Sequence, residues 1–257
     1  MNDWNPGKYE TFTDQRLLPA LDLLGRTGAV PEGDVVDLGC GNGPVGAALK
    51  ARFSGQALVG VDNSPAMLAR AGERAVYDRL IEADIAGWAP ERPAALIYSN
   101  AALQWLGDHD TLLPRLAGML AQSGVLAVQM PFQNDAPSHR GWGTAFGALF
   151  GDRVVARGPQ ILTPEAYFDL LAPLGAVQVW ETHYLQHLPA AEGAHPVRLF
   201  TESTFARPYL EAVDAEEMQA LIAAYEAAMA QAYPLRADGS VLFAFRRLFF
   251  TLRASGA

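Results

Sequence analysis

Three glycines, Gly39, Gly41 and Gly43, stand directly behind the short apolar run Val35-Val36-Asp37-Leu38. Glycine lets a backbone turn tightly and come close to a ligand without side-chain collision. In an open parallel sheet, ligands lie beyond the carboxyl ends of the strands, where such a loop emerges. A loop of this kind asks for an α/β chain, and the hydrophobic pattern supplies one.

Asp14 to Arg26 is apolar at helical spacing through Leu17, Leu18, Leu21 and Leu24. Residues 47–52 suit a second helix, and Ala57-Leu58-Val59-Gly60-Val61 is a second buried strand. Ser64-Pro65 offers an N-cap and a first helical position for a helix through Met67, Leu68 and Ala71. Weaker strands are expected at 80–83 and 96–99, a helix around 112–120, and a strand over 124–130. Short strands separated by helical patterns predict an α/β fold with a mostly parallel sheet covered on both faces.

The pattern changes after residue 130. Scattered Gly, Pro and polar residues fill 131–160, and 164–174 reads as a helix. A long β-rich stretch covers 177–188, and 190–232 is mainly helical, with an alanine-rich amphipathic run over 215–232. Residues 241–252 are aromatic-rich and extended. The expected plan is one domain over 1–257, with 131–160 and 190–232 as helical insertions that cap the active site.

Asp62 ends the second strand, where a carboxylate suits ribose hydroxyls, and Asp84 follows the third, within reach of an adenine amino group. Either could instead be a turn residue. Two cofactor frames compete for the loop. Gly41-Asn42-Gly43-Pro44-Val45-Gly46 satisfies the dinucleotide fingerprint, with Asp62 near the acidic spacing, but begins two residues late for a loop leaving the strand. The frame Asp37-x-Gly39-x-Gly41-x-Gly43 resembles motif I of class I S-adenosylmethionine-dependent methyltransferases. That resemblance places Asp37 on the methionine ammonium group and implies a cofactor set of Asp37, Gly39, Gly41, Gly43, Asp62, Asn63, Met67, Asp84, Ile85 and Asn100. Its product would be S-adenosylhomocysteine. Cys40 reads as small loop filling, since no activating base is assignable.

Further segments narrow the resemblance. Asp3-Trp4-Asn5-Pro6 with Tyr9, Phe12 and Arg16, then Ser64-Pro65-Ala66-Met67, Glu82-Ala83-Asp84-Ile85 and Asn100 to Leu106, are similar to trans-aconitate 2-methyltransferases. So are Gly124 to Pro131, Pro137-Ser138-His139, Pro164 to Tyr167, Tyr184, Arg207-Pro208, Ala232-Tyr233-Pro234 and Arg247-Leu248-Phe249. The resemblance implies a Rossmann-like sheet with an antiparallel last strand. The chain departs from the family pattern at Thr204-Phe205-Ala206-Arg207-Pro208, where a glycine usually precedes a Leu-Arg-Pro segment, across 195–203, and at Arg246, which replaces a proline. These departures bear on the acceptor rather than the cofactor.

Methyl transfer from a sulfonium is an in-line displacement, so positioning should dominate. A carboxylate acceptor with a pKa near 4 is already ionised at neutral pH, and no general base is required. The site must hold the remaining carboxylates while one oxygen stays free to attack. Arg207 and Arg247 are the expected clamps, because guanidinium offers paired donors matched to carboxylate. Tyr184, Tyr9 and His183 are secondary candidates, with Gln104 and Trp105 shaping the wall. Arg246 and Arg247 must point to opposite faces of a regular strand, and the resemblance implies that Arg247 is the inward one, which leaves Arg246 in solvent or surface-paired.

The chain carries 19 Lys+Arg against 28 Asp+Glu, a net charge of −9. That balance argues against a nucleic-acid partner, which needs a basic face. The same balance makes an anionic acceptor a matter of local placement. A single cysteine among 257 residues fits a reducing compartment. The start shows no basic-then-apolar signal, and no apolar run nears the roughly 18 residues of a membrane span. A cytoplasmic protein is expected, monomeric or weakly self-associating, acting on a small-molecule carboxylate. His183 and His187 lie roughly 13 Å apart on a strand, and no metal is expected.

Overall fold

The structure is a computed structural model that describes residues 13–155, 158, 160–202 and 205–255, with side chains from residue 17. In chain order the elements are α1 (Thr13–Arg26), β1 (Val35–Leu38), α2 (Gly46–Arg52), β2 (Leu58–Asp62), α3 (Pro65–Glu73) and β3 (Arg79–Glu82). Next come β4 (Ala94–Asn100), α4 (His109–Ala117), β5 (Leu120–Pro131), α5 (Pro137–Phe150), α6 (Pro164–Leu171) and β6 (Gly175–Leu188). The chain ends with α7 (Pro196–Glu202), α8 (Arg207–Leu210), α9 (Ala215–Ala232) and β7 (Val241–Ala254). Two compact units result. The first holds the chain to Pro131, Ile161–Thr182 and the stretch from Arg247; the second holds Phe132–Gln160 and His183–Arg246.

Seven strands form one sheet in the order β3-β2-β1-β4-β5-β7-β6. Strands β1 to β5 pair in parallel, and β7 runs antiparallel to β5, with Pro131 opposite Arg247. The antiparallel strand expected from the resemblance is therefore present. All four β1 residues are buried, the near-continuous apolar run of a strand covered on both faces. The strand order reverses between β1 and β4, so the carboxyl ends at Leu38 and Asn100 border the topological switch point.

Local sequence explains the elements that frame this point. Ser64 Oγ accepts from the Met67 amide at 3.3 Å and Pro65 takes the first helical turn, which fixes the start of α3. Tyr98 Oη donates to the Ala20 carbonyl at 2.6 Å and ties β4 to α1. Helix α4 starts at His109, three residues before the expected start, and stops at Ala117. His109 is buried, with its ring nitrogens 2.6 Å from Tyr167 Oη and 2.9 Å from the Leu103 carbonyl oxygen. No side-chain cap announces this start, because Asp108 sits in the left-handed region and bonds the helix through its backbone carbonyl alone.

The second unit builds its own core. Trp142 of α5 stacks on Tyr225 of α9 at 3.9 Å and donates Nε1–H to Thr201 Oγ1 at 3.0 Å. Tyr225 Oη donates to the Ser138 carbonyl at 2.7 Å. Helix α9 opens with a capping box between Asp214 and Glu217, whose carboxyl lies at about 2 beside Arg153. His139 is buried against Phe205, ring centroids 4.3 Å apart, and burial pushes its imidazole down to about 3.

Candidate functional site

The loop after β1 is anchored before any ligand is considered. The amides of Gly39 and Cys40 both donate to the Val61 carbonyl, at 2.8 and 3.0 Å, which binds the turn to the end of β2. Gly39 and Gly41 have φ of +77° and +55°. A Cβ on Gly39 would lie 2.3 Å from the Ala102 Cβ, so protein packing already excludes a side chain there. On Gly41 a Cβ would meet nothing within 4 Å among the described residues. The loop therefore presents bare backbone at Gly41 that no described side chain covers.

Around the loop the candidate cofactor residues take distinct positions. Asp62 accepts from the Gly41 amide through Oδ2 at 2.8 Å and from the Ser64 amide through Oδ1 at 3.0 Å. Each carboxylate oxygen retains a second lone pair for a hydroxyl donor. Asn63 is exposed and Met67 is buried at the start of α3. Asp84 is exposed and closes a tight turn, with Oδ1 accepting from the Ala86 amide at 2.8 Å. The Ile85 Cδ1 lies 3.4 Å from where a Gly39 Cβ would sit, beside the loop. Asn100 Oδ1, at the carboxyl end of β4, is buried without a hydrogen-bond partner. An orphaned acceptor, a bare glycine and strand-end carboxylates suit a ligand rich in hydroxyl and N–H donors.

Asp37 is buried beneath the loop, and its Oδ2 accepts from Tyr77 Oη at 2.7 Å. Burial above all, with the Tyr77 bond opposing it and nearby Asp62 adding to it, raises its carboxyl to about 7. Cys40 is buried, and burial together with Asp37 and Asp62 pushes its thiol up, which agrees with loop filling rather than nucleophilic chemistry. Sequence reasoning passed over Tyr77. Its signal lay in three glycines of different elements, Gly43, Gly46 and Gly60, each too close to the Tyr77 ring to carry a Cβ without displacement.

Acceptor candidates fall in both units. Arg247 is 3% exposed, and its Nη1 reaches Gln129 Oε1 at 3.5 Å. Gln129 Nε2 is buried without a partner, and Asn100 is its register neighbour across the β4–β5 pair. Gln104 Nε2 donates to the Ala101 carbonyl at 2.7 Å while its Oε1 is buried and unpartnered. Trp105 is 46% exposed. Gln129 lies within the Gly124–Pro131 segment, and a polar side chain inside that apolar strand is the sequence signal for its place beside Arg247.

Arg246 is half-buried: its guanidinium lies 4.3 Å over the Phe132 ring and Nε donates to the Phe132 carbonyl at 2.9 Å. The strand alternation holds, yet the outward arginine finds an aromatic face to cover. Arg207 is exposed on α8, and its Nε pairs with Glu211 at 2.6 Å. Tyr184 is half-buried and His183 exposed on β6. Tyr9 and the Asp3–Pro6 segment lie outside the described residues.

A family profile described as a methyltransferase domain matches residues 35–124, from the first residue of β1 into β5. The match sets aside the dinucleotide frame. The trans-aconitate 2-methyltransferase of Methylobacterium radiotolerans is 45% identical over 98% of this chain and 99% of its own length. That of Paracidovorax citrulli is 42% identical over 99% of this chain and 100% of its own. Among solved structures, the YcgJ protein of Bacillus subtilis superposes with a TM-score of 0.59 at 14% identity, covering 94% of this chain and all of that one. Geranyl diphosphate C-methyltransferase of Streptomyces coelicolor A3(2) gives 0.51 at 19% identity, over 93% and 79%. The two structures speak to the fold alone. Identity above 40% from end to end reaches far beyond a shared loop, and this chain belongs to the trans-aconitate 2-methyltransferase family.

Proposed function

We propose that the protein esterifies a carboxylate of a small polycarboxylic acid, with trans-aconitate as the foremost acceptor and S-adenosylmethionine as the methyl donor. Full-length similarity to curated enzymes of that name carries the reading, and the glycine cradle with its strand-end carboxylates supports the donor. Bound there, S-adenosylmethionine supplies an electrophilic methyl group on a sulfonium and leaves as S-adenosylhomocysteine.

The chain's own part is binding and orientation. Gly41 leaves room for the ligand, Asp62 and Asp84 accept from its hydroxyl and amino groups, and Asp37 faces its ammonium group. Asn63, Met67, Ile85 and Asn100 complete the cofactor set. Arg247, a buried cation, anchors an acceptor carboxylate, and Gln129 holds the guanidinium in place. The acceptor oxygen is ionised at neutral pH, so no side chain has to remove a proton. Arg207, Tyr184 and His183, the other acceptor candidates, belong to the second unit.

One observation favours a second reading, in which the acceptor carries fewer carboxylates. Arg207 already pairs with Glu211, so its charge is partly answered within the chain. Pure protein incubated with S-adenosylmethionine and a panel of mono-, di- and tricarboxylic acids, with esters read by mass spectrometry, decides between them. Monomethyl trans-aconitate as the dominant product supports the first reading. Turnover of a monocarboxylate with none of trans-aconitate overturns it.

A further inference from the structure

Tyr77 lies in the connection between α3 and β3, outside every motif used so far. Its ring fills a slot whose walls are glycines from three elements. A Cβ on Gly43 of the loop would stand 2.9 Å from Tyr77 Cε2, one on Gly46 at the start of α2 would stand 2.7 Å from Cζ, and one on Gly60 of β2 would stand 3.0 Å from Cδ1. From that slot the hydroxyl reaches Asp37 Oδ2 at 2.7 Å. Burial and the facing Asp37 push the phenol up, so Tyr77 keeps its proton and is the donor.

We propose that Tyr77 is a positioning residue of the cofactor site: its hydroxyl orients the Asp37 carboxylate, and its ring braces the glycine loop before the ligand arrives. The inference rests on the methyltransferase reading, because it takes the ligand of the loop to carry an ammonium group.

The physical case begins with charge. Asp37, one residue before the end of β1, and Asp62, the last of β2, lie on adjacent parallel strands, and among the described residues neither carboxyl has a basic side chain as hydrogen-bond partner. Around Asp37 stand Asp62 on β2, Cys40 on the loop, Tyr98 on β4 and Tyr77 itself, with Arg74 beyond Tyr77. Arg74 spends its Nε–H on the Asn42 carbonyl at 2.6 Å, bracing the loop from the outside. The Tyr77 hydroxyl is the side-chain donor that favours the charged form of Asp37 against burial and against Asp62. A hydrogen bond to an ionised group favours it strongly enough to move its titration by about one to two pH units. A ligand ammonium then meets Asp37 ionised in a larger fraction of the molecules than it would without the Tyr77 donor.

Tyr77→Phe tests this, since it keeps the ring in its slot and removes only the donor. Binding of S-adenosylhomocysteine and of 5′-methylthioadenosine is measured by calorimetry from pH 6 to 8.5. The second ligand lacks the amino-acid portion and so lacks the ammonium group. The wild-type affinity for S-adenosylhomocysteine is expected to rise through pH 7. In Tyr77→Phe that rise moves up by about one to two units, which weakens binding at pH 7.5 by roughly three- to twentyfold. Affinity for 5′-methylthioadenosine stays level with pH in both proteins. Asp37→Asn supplies the second variant: the pH step disappears, and adding Tyr77→Phe moves nothing further with pH. Equal losses for both ligands at every pH, or an unmoved S-adenosylhomocysteine profile, overturn the inference and leave Tyr77 as packing. Failure of the wild type to bind S-adenosylhomocysteine overturns the methyltransferase reading and this inference with it.

Discussion

Gly41 donates its amide proton to Asp62 Oδ2 at 2.8 Å, across twenty-one residues of sequence. The same carboxylate takes the Ser64 amide through Oδ1, so one side chain joins the loop after β1 to the turn that starts α3. Asp62 thereby serves the shape of the cradle as well as its chemistry. Asp62→Ala is expected to lower thermal stability modestly, since each lost charge-assisted bond is worth about 1.5–3 kcal/mol and water replaces part of it. Affinity for S-adenosylhomocysteine should fall by at least about tenfold, read by calorimetry. A drop in stability with unaltered affinity would restrict Asp62 to holding the loop.

The glycines of the loop separate under substitution. Gly41→Ala meets no atom of the described residues within 4 Å and costs the fold only the left-handed backbone, about 1–2 kcal/mol. The added methyl occupies the cradle, so ligand affinity should collapse while the protein still melts cooperatively. Gly39→Ala puts a Cβ 2.3 Å from the Ala102 Cβ and should reduce folded yield itself. Parallel melting curves and binding isotherms check the contrast; equal damage to folding by both variants would remove the cradle assignment.

The legible parts of this chain are those that short-range chemistry writes down. Val35-Val36-Asp37-Leu38 reads as a buried strand because both its faces are covered, and Ser64-Pro65 opens α3 where its capping chemistry demands. His109 was not legible as a helix start, because its burial depends on Tyr167, fifty-eight residues away. Tyr77 and the Gly41 amide on Asp62 escaped for the same reason, being pairings that only the folded sheet creates, whereas the Ser64 amide on Asp62 is the local turn contact that the sequence allowed. The Arg207–Glu211 pair is different: its i,i+4 spacing was visible, yet whether an arginine faces a ligand or its own helix is decided by neighbours the spacing does not name.

The second unit carries a pH liability at His139. Its folded imidazole titrates at about 3, against 6.5 for an unhindered histidine, because burial opposes the charged form. The unfolded chain therefore binds the proton first as pH falls. The stability contributed by a neutral His139 is complete above pH 6.5 and drains away as pH drops toward 3. Between pH 8 and pH 5 the loss is about 2 kcal/mol. His139→Leu should show a shallower fall of the urea midpoint over that window than the wild type. Identical slopes in the two proteins would mean that His139 is protonated or rehydrated without unfolding.

The acceptor assignment is tested at the two arginines, which the structure leaves in contrasting states. Arg247 is 3% exposed on β7 beside Gln129, whereas Arg207 is 45% exposed in its side chain and paired with Glu211. Arg247→Lys keeps the charge but loses the forked geometry, so the KM for trans-aconitate should rise roughly tenfold or more, with S-adenosylhomocysteine affinity unchanged. Arg207→Ala removes an exposed i,i+4 pair worth about 0.3–0.5 kcal/mol, and thermal stability should barely move. A severalfold rise in acceptor KM in that variant identifies Arg207 as the second clamp; an unchanged KM assigns it to α8 and favours an acceptor with fewer carboxylates. The protein's net charge of −9 sharpens the comparison, because a chain that repels anions overall must gather them through local potential. Raising ionic strength screens the distant acidic residues and the exposed Arg207 more than the buried Arg247. The KM penalty of Arg207→Ala should therefore shrink in high salt, while that of Arg247→Lys persists. Equal salt sensitivity of the two penalties would place both guanidinium groups in the same environment during turnover, contrary to the burial seen here.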